Sequence, residues 1–232
     1  MKDLLTIVIP CKNENSILIE TLSCLKDQQD IKDTRIIIAD CSTDNTISLV
    51  RFYNQFANLN IEFIEGGYPA IARNNGAKLA TTPYILFLDA DIWLFDKDHL
   101  NSCINKAMTN NLSLVTCNIG TDDKYSIVYE CFFTIQKILS IFSPISIGGF
   151  MLFNAHDFHN LGGFDKKDKF AEDYHLSSKV SRKRFAISNK KAFTTSRRIK
   201  KKGLWFMIKM AVLSIINKNN KPFFHSDYDY WK

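Results

Sequence analysis

The chain has 232 residues, 46% hydrophobic and 23% charged, a balance that fits a globular protein with a sizeable core and excludes a disordered one. Its net charge is +6, yet residues 174–226 hold 14 of the 30 Lys and Arg and none of the 24 Asp and Glu. An acidic first part is thus followed by a strongly basic last part, which points to an anionic partner: nucleotide phosphate, lipid phosphate, membrane surface or nucleic acid.

The first hundred residues alternate strand and helix signals. LLTIVIP (Leu4–Pro10) is a short apolar run rich in β-branched residues, and the following segment places Ile17, Leu18, Leu22 and Leu25 at helical spacing behind Asn13 and Asn15. RIIIAD (Arg35–Asp40) predicts a second strand, TISLVRFYNQF a helix, and IEFI (Ile61–Ile64) a third strand. The loop EGGYPA, a helix around IARNNGAKLA and a fourth strand, YILFL, follow. Strands that read as unbroken apolar runs between helices imply right-handed βαβ units, hence a doubly wound, mostly parallel α/β sheet. Beyond Asp91 the spacing predicts a helix over Asp98–Asn110, a strand in LSLVTCNI and a long apolar helix in YSIVYECFFTIQKILSIF. A strand SIGGFMLFN opening on a double glycine, a helix from Glu172 to Lys183 and a strand near RFAIS complete this half. The six cysteines form no C-x-x-C pair and do not cluster with histidines, which reads as a reduced cytoplasmic chain without a zinc site or disulfide framework. No secretory signal is read at the N-terminus, because the Leu4–Pro10 run is too short.

In doubly wound sheets ligands bind outside the carboxyl ends of the strands. Here those ends are Pro10-Cys11-Lys12-Asn13-Glu14, Asp40-Cys41-Ser42-Thr43-Asp44, Glu65-Gly66-Gly67 and Asp89-Ala90-Asp91, and each carries an acid. Neither a dinucleotide fingerprint nor a P-loop occurs, so no glycine cradle holds the ligand. Residues two apart on an extended segment point the same way, so Asp89 and Asp91 can share one site and suit Mg2+ or Mn2+ together with substrate phosphates. The plain alternative for a bare D-x-D is an exposed acidic turn. Asp44 has the placement of a helix cap. Asp40, at the buried end of its strand, is placed to accept the ring N–H of a uracil or guanine, with Asp44 within reach of ribose hydroxyls.

Four separated pieces, TIVIPCKNEN, IIIADCSTDNT, ARNNGAKLATTPYILFLDAD and GGFDKKDKFAEDYHLSSKV, together resemble a family 2 nucleotide-sugar glycosyltransferase of the GT-A fold, over about Leu4 to Arg184. The resemblance implies a single GT-A domain over 1–202, with a Rossmann-like nucleotide-sugar-binding half (1–95) and an acceptor-side half (96–202). A C-terminal apolar helix and aromatic tail fill 203–232. It places Pro10, Glu14, Asp40 and Asp44 against the nucleoside, with Lys12, Ser42 and Ala90 in the same donor-side loops. Arg73 and Asn74 would face the donor, Asp89 the ribose or a metal-bound water, and Asp91 the Mg2+ or Mn2+ on the diphosphate.

Asp173 of the Glu172-Asp173 pair matches the family's catalytic base. It is expected to stay ionised near neutrality, since a helix N-terminus favours negative charge. A base opposite the leaving group makes the transfer an inverting single displacement. Without the other pieces, Glu172 and Asp173 read as favourable first-turn acids of an ordinary helix. The Q-x-x-R-W segment that processive polysaccharide synthases carry is absent, TSRRIKKKG standing in that region, and no histidine is evident as a further metal contact. Arg197 and Arg198 are placed to hold the leaving diphosphate, the alternative being a solvated basic turn.

GLWFMIKMAVLSII falls short of the roughly 20 residues that span a bilayer. It reads either as a buried core helix or as an interfacial one, whose preceding basic run would sit on anionic headgroups beside a lipid-linked acceptor such as a polyprenyl phosphate. The latter implies a peripheral protein at the inner face of the cell membrane, with a glycan or lipid-linked acceptor. A nucleotidyltransferase would carry a glycine- and arginine-rich loop where CKNEN stands. A nucleic-acid module would interleave aromatics with its cations, and acidic strand ends would repel a phosphate backbone, so no nucleic-acid partner is expected.

Overall fold

The computed structural model describes residues 1–228, so the end of the aromatic tail (229–232) lies outside the described residues. The chain begins with the expected alternation: β1 (Leu5–Cys11), α1 (Asn15–Lys26), β2 (Arg35–Asp40), α2 (Thr46–Ala57), β3 (Ile61–Glu65), α3 (Pro69–Leu79) and β4 (Tyr84–Leu88). It continues through β5 (Ile92–Trp93), α4 (His99–Thr109), β6 (Leu114–Gly120), α5 (Ser126–Leu139), β7 (Phe150–Asn154), α6 (Ala155–Asn160) and α7 (Glu172–Ser177). The last elements are β8 (Phe185–Thr194), α8 (Arg197–Lys202), α9 (Leu204–Ile216) and α10 (Lys221–His225).

The strands form one sheet in the order β3-β2-β1-β4-β7-β6-β8-β5. β3, β2, β1 and β4 pair in parallel, as do β6 and β8. β7 runs antiparallel to both β4 and β6, and β5 to β8. The apolar runs of β1, β2 and β4 are unbroken because both faces of these strands are buried. Ile7, Ile9, Leu86 and Leu88 pack on one side with Leu18, Leu22 and Leu25 of α1. Their neighbours Val8, Ile85 and Phe87 pack on the other with Ala70 and Ala77 of α3, Phe158 and Phe164. The approach of α3 to β1 depends on Gly76, where a Cβ would stand 2.3 Å from Val8 Cγ1.

After β4 the outcome departs from the sequence expectation. β7 begins only after the double glycine, the helix from Glu172 stops at Ser177 rather than Lys183, and the short helix α6 is not among the expected elements. The basic amphipathic C-terminal helix is divided at Gly203 (φ 84°) into α8 and α9. The basic segment folds back over the acidic strand ends, so part of the charge asymmetry is neutralised within the chain: Arg197 meets Glu14 and Asp91, and Lys200 meets Asp123 at 2.7 Å.

α5 and α9 show an inverted burial pattern. Gln136, a polar residue, is the buried side chain of α5, donating to Ile145 O at 2.8 Å, while Ile127, Ile135 and Ile138 are exposed. In α9 only Met210 and Ser214 are buried, and Trp205 is 82% exposed. The core reading of α9 is therefore not what the fold provides. The two helices are joined at their ends by Lys218 Nζ, which donates to Ser143 Oγ at 2.7 Å, and Tyr129 of α5 donates to Thr195 O. Among the described residues no helix is long and apolar enough to cross a membrane.

Candidate functional site

The loops after β1, β2 and β4 converge with the N-terminus of α3 and with α8 around a cavity of about 770 Å3. Pro10, Lys12 and Glu14 enter from the first loop, Asp89, Ala90 and Asp91 from the turn after β4, Arg73 from α3, and Arg197 and Arg198 from α8. Tyr68, Thr43, Lys201 and Lys202 also line it and were not singled out from the sequence; the two lysines were visible there only as part of a charge run.

Two arginines organise the acids. Arg197 lies between Glu14 and Asp91, with Nη1 2.7 Å from Glu14 Oε2 and Nη2 3.1 Å from Asp91 Oδ2. Burial and then Asp89 push the Asp91 carboxyl up, against the pull of Arg197 and Arg198. Burial raises Glu14 likewise, against Arg197. Burial is thus the main cost of charge on these carboxylates, and a cation bound directly to them would offset it.

Arg73 is 1% exposed and forks between two acids far apart in sequence: Nη2 donates to Asp89 Oδ1 at 2.7 Å and Nη1 donates to Glu172. Burial opposes its charge, but Asp89, Glu172 and Asp173 together raise its affinity for the proton still further. Its partner Glu172 is buried, and Asp173 beside it accepts from Gly148 N–H and Tyr174 N–H. The expectation of an ordinary low pKa at Asp173 needs correction. Burial raises both carboxyls, and Arg73 lowers them only in part because its one charge serves three acids. Ala171, just before them, adopts the left-handed region (φ 49°), a conformation that costs alanine roughly 1–2 kcal/mol. The double glycine closes this region. A Cβ on Gly148 would lie 3.0 Å from Asp173 Oδ2 and 3.1 Å from Arg73 Nη2, and Gly149 O accepts from Asp89 N–H at 3.1 Å.

Other expected donor contacts are placed elsewhere. Asn74 does not face the donor cavity: its amide clamps the backbone of Phe164, donating to the carbonyl at 2.7 Å and accepting from the N–H at 3.1 Å. Asp40 is engaged by its own turn, accepting from Ser42 Oγ at 2.6 Å and Ser42 N–H at 3.1 Å. Ser42 Oγ also accepts from Asn13 N–H, joining the first two loops. Asp44 accepts from Thr46 Oγ1 at 2.5 Å and from Thr46 N–H at 3.0 Å at the start of α2, the capping role weighed for it, and these bonds, the hydroxyl's first, lower its pKa. Asp40, Ser42 and Asp44 thus build the wall behind Thr43.

With this geometry in place, the sequence profile described as glycosyl transferase family 2 matches residues 6–162. The chain belongs to that family. Among curated family 2 relatives, the amylovoran biosynthesis glycosyltransferase AmsB of Erwinia amylovora is 34% identical over 136 residues, 56% of this chain and 42% of AmsB. The poly(ribitol-phosphate) beta-N-acetylglucosaminyltransferase TarS of Staphylococcus aureus is 31% identical over 94 residues, 38% of this chain and 16% of TarS. The chain therefore spans less than half the length of these relatives. Among solved structures, the mannosyltransferase PcManGT of Pyrobaculum calidifontis, in complex with GDP-Man and Mn2+, superposes with a TM-score of 0.74 at 20% identity. That match covers 96% of this chain and 65% of PcManGT. S. aureus TarS in complex with UDP-GlcNAc gives a TM-score of 0.67 at 18% identity, covering 84% and 59% of the two chains. Both have the GT-A fold seen here. The family match ends before α7, so it does not reach Glu172 and Asp173.

Proposed function

We propose that the protein transfers a sugar, with inversion, from a nucleoside-diphosphate sugar to a hydroxyl or lipid-phosphate acceptor. The observation that carries this reading is the convergence of Glu14, Asp89 and Asp91 on one cavity with Arg197 held between them. Hard carboxylate oxygens beside a cation that can swing away fit Mg2+ or Mn2+, held by Asp91 with Asp89 nearby. When bound, the metal would offset the negative charge that grows on the leaving diphosphate. Arg197 and Arg198, released from the acids, turn onto the same phosphates. Asp173 accepts the acceptor's proton, and Arg73 with Glu172 holds it in place. UDP is the favoured nucleotide and GDP the alternative; PcManGT was solved with a GDP-sugar and TarS with a UDP-sugar.

Melting the protein with UDP- and GDP-sugars, with and without Mn2+, tests the reading. At a hundredfold excess over Kd, binding to the folded state adds about 2.7 kcal/mol. That stabilisation should require metal and vanish in Asp91→Ala. Metal-independent binding of an oligonucleotide, with no response to any nucleotide sugar, would replace the transferase with a nucleic-acid module.

The acceptor reading rests on the exposed apolar faces of α5 and α9 next to Lys200, Lys201 and Lys202. An amphipathic surface flanked by cations suits an anionic bilayer, where Trp205 and Ile216 enter the headgroup boundary. The reading is of a protein that works at the cytoplasmic face of a membrane on a lipid-linked or envelope glycan acceptor. Flotation with vesicles containing anionic lipid at low salt should recover the protein, and Trp205→Glu should reduce recovery several-fold. Equal recovery with neutral vesicles, or none at all, refutes it.

A further inference from the structure

A second cluster shares no residue with the donor cavity. Asp165 and Asp168, in the loop after α6, and His225, at the end of α10, each offer one ligand atom, and these lie within 4.8 Å of one another. His225 Nε2 stands 3.3 Å from Asp165 Oδ2 and 3.6 Å from Asp168 Oδ1. A tetrahedral ion with bonds of about 2.0–2.2 Å separates its ligands by about 3.3–3.6 Å, whereas octahedral Mg2+ would draw them to about 2.9 Å.

A separate observation marks the cluster as more than an acidic patch. The Asp168 side chain is 1% exposed, and its Oδ1, aimed at His225, accepts no hydrogen bond from the described residues. A buried carboxylate oxygen without a donor is costly and calls for a ligand. Its other oxygen is fixed by His175 Nδ1 at 2.6 Å, and His175 in turn stacks on Phe224 with centroids 4.6 Å apart. Metal-binding carboxylates are commonly oriented by such outer hydrogen bonds. Asp165 also lines an open cavity of about 570 Å3, which gives an ion a way in.

We propose that Asp165, Asp168 and His225 bind one Zn2+, with water completing the tetrahedron. The ion fastens α10 to the loop ahead of α7, the helix that begins with Glu172 and Asp173. No cysteine takes part, so the site leaves no trace in the cysteine spacing.

The test uses the full chain after chelation, titrated with Zn2+ alone. The melting temperature should rise and saturate at one ion per chain, and Co2+ in place of Zn2+ should give the intense visible absorption of a tetrahedral complex. Both responses should weaken by about a hundredfold in affinity in His225→Ala and persist in Asp91→Ala, which separates this site from the donor cavity. If His225→Ala folds poorly, Asp165→Asn, at a partly exposed position, should keep the metal-free melting temperature and lose the Co2+ absorption. A weak octahedral Co2+ spectrum, no thermal response, or a response that survives both substitutions overturns the assignment.

Discussion

Replacing Arg73 with Met should destabilise the protein by about 3–5 kcal/mol at pH 8, because it strands buried acids that the native chain pairs with one guanidinium. For a chain of this size that is a fall in melting temperature of roughly 6–20 °C. The loss should depend on pH with a definite sign. Burial already raises Glu172 and Asp173 above their unfolded values, so the folded state binds more protons than the unfolded state from the acid range upward. The stability this contributes is present at low pH and is lost as pH rises through the folded pKa values. Removing Arg73 raises those values further. The variant should therefore lie nearest the native protein at about pH 5 and furthest at pH 8, as measured by urea unfolding. Arg73→Lys should recover only part of the loss, since an ammonium cannot fork to Asp89 and Glu172 together. A deficit that is the same at both pH values would mean that Arg73 acts through packing on Phe164 rather than through charge.

Asp173→Asn should lower kcat by about 10²–10⁴ while leaving metal-dependent donor binding unchanged, the pattern of a lost general base. Asn preserves shape and can still accept from Gly148 N–H, so a folding defect is not expected. In the native protein the rate should rise with pH along a limb whose apparent pKa lies above the ordinary carboxylate range. Burial holds the Asp173 carboxyl up, and it must be ionised to act. Because Asp173 titrates together with Glu172, the apparent value belongs to the pair, and Glu172→Gln should move the limb without abolishing it. A full rate in Asp173→Asn would return Glu172 and Asp173 to the role of first-turn acids on a short helix.

The part of the fold most legible in the sequence is the part with the simplest burial. β2 and β4 coincide with RIIIAD and YILFL because strands covered on both faces show unbroken apolar runs between turns. Past Asp91 the sheet turns mixed, and the same rule weakens. β5 has two residues, and β8 continues for ten through the polar Ser188-Asn189-Lys190-Lys191 stretch because much of it is only half-covered. The strand-end rule gathered Glu14, Asp89 and Asp91 into one place, since position along a parallel sheet is local information. It did not reveal that Asp40 and Ser42 bond each other, nor that Asn74 serves Phe164, because a side chain's direction depends on what packs beside it. The bonds from Arg73 to Asp89 and Glu172 cross 16 and 99 positions of chain, and nothing in the spacing of one sequence marks such a pair.

The glycine pair at 148–149 acts as a gauge. Its backbone touches Asp89 through one carbonyl and Asp173 through one amide, so it fixes the gap between these two acids. No side chain fits on either residue without displacing a neighbour: Ile92 and Ile119 stand 2.7 and 2.8 Å from where Gly149 would place a Cβ. Under the proposed function, attempts to retune the size of the transferred group should therefore leave this strip alone and work from the Tyr68 and Lys201 rim, where bulk can change without altering the spacing of the acids.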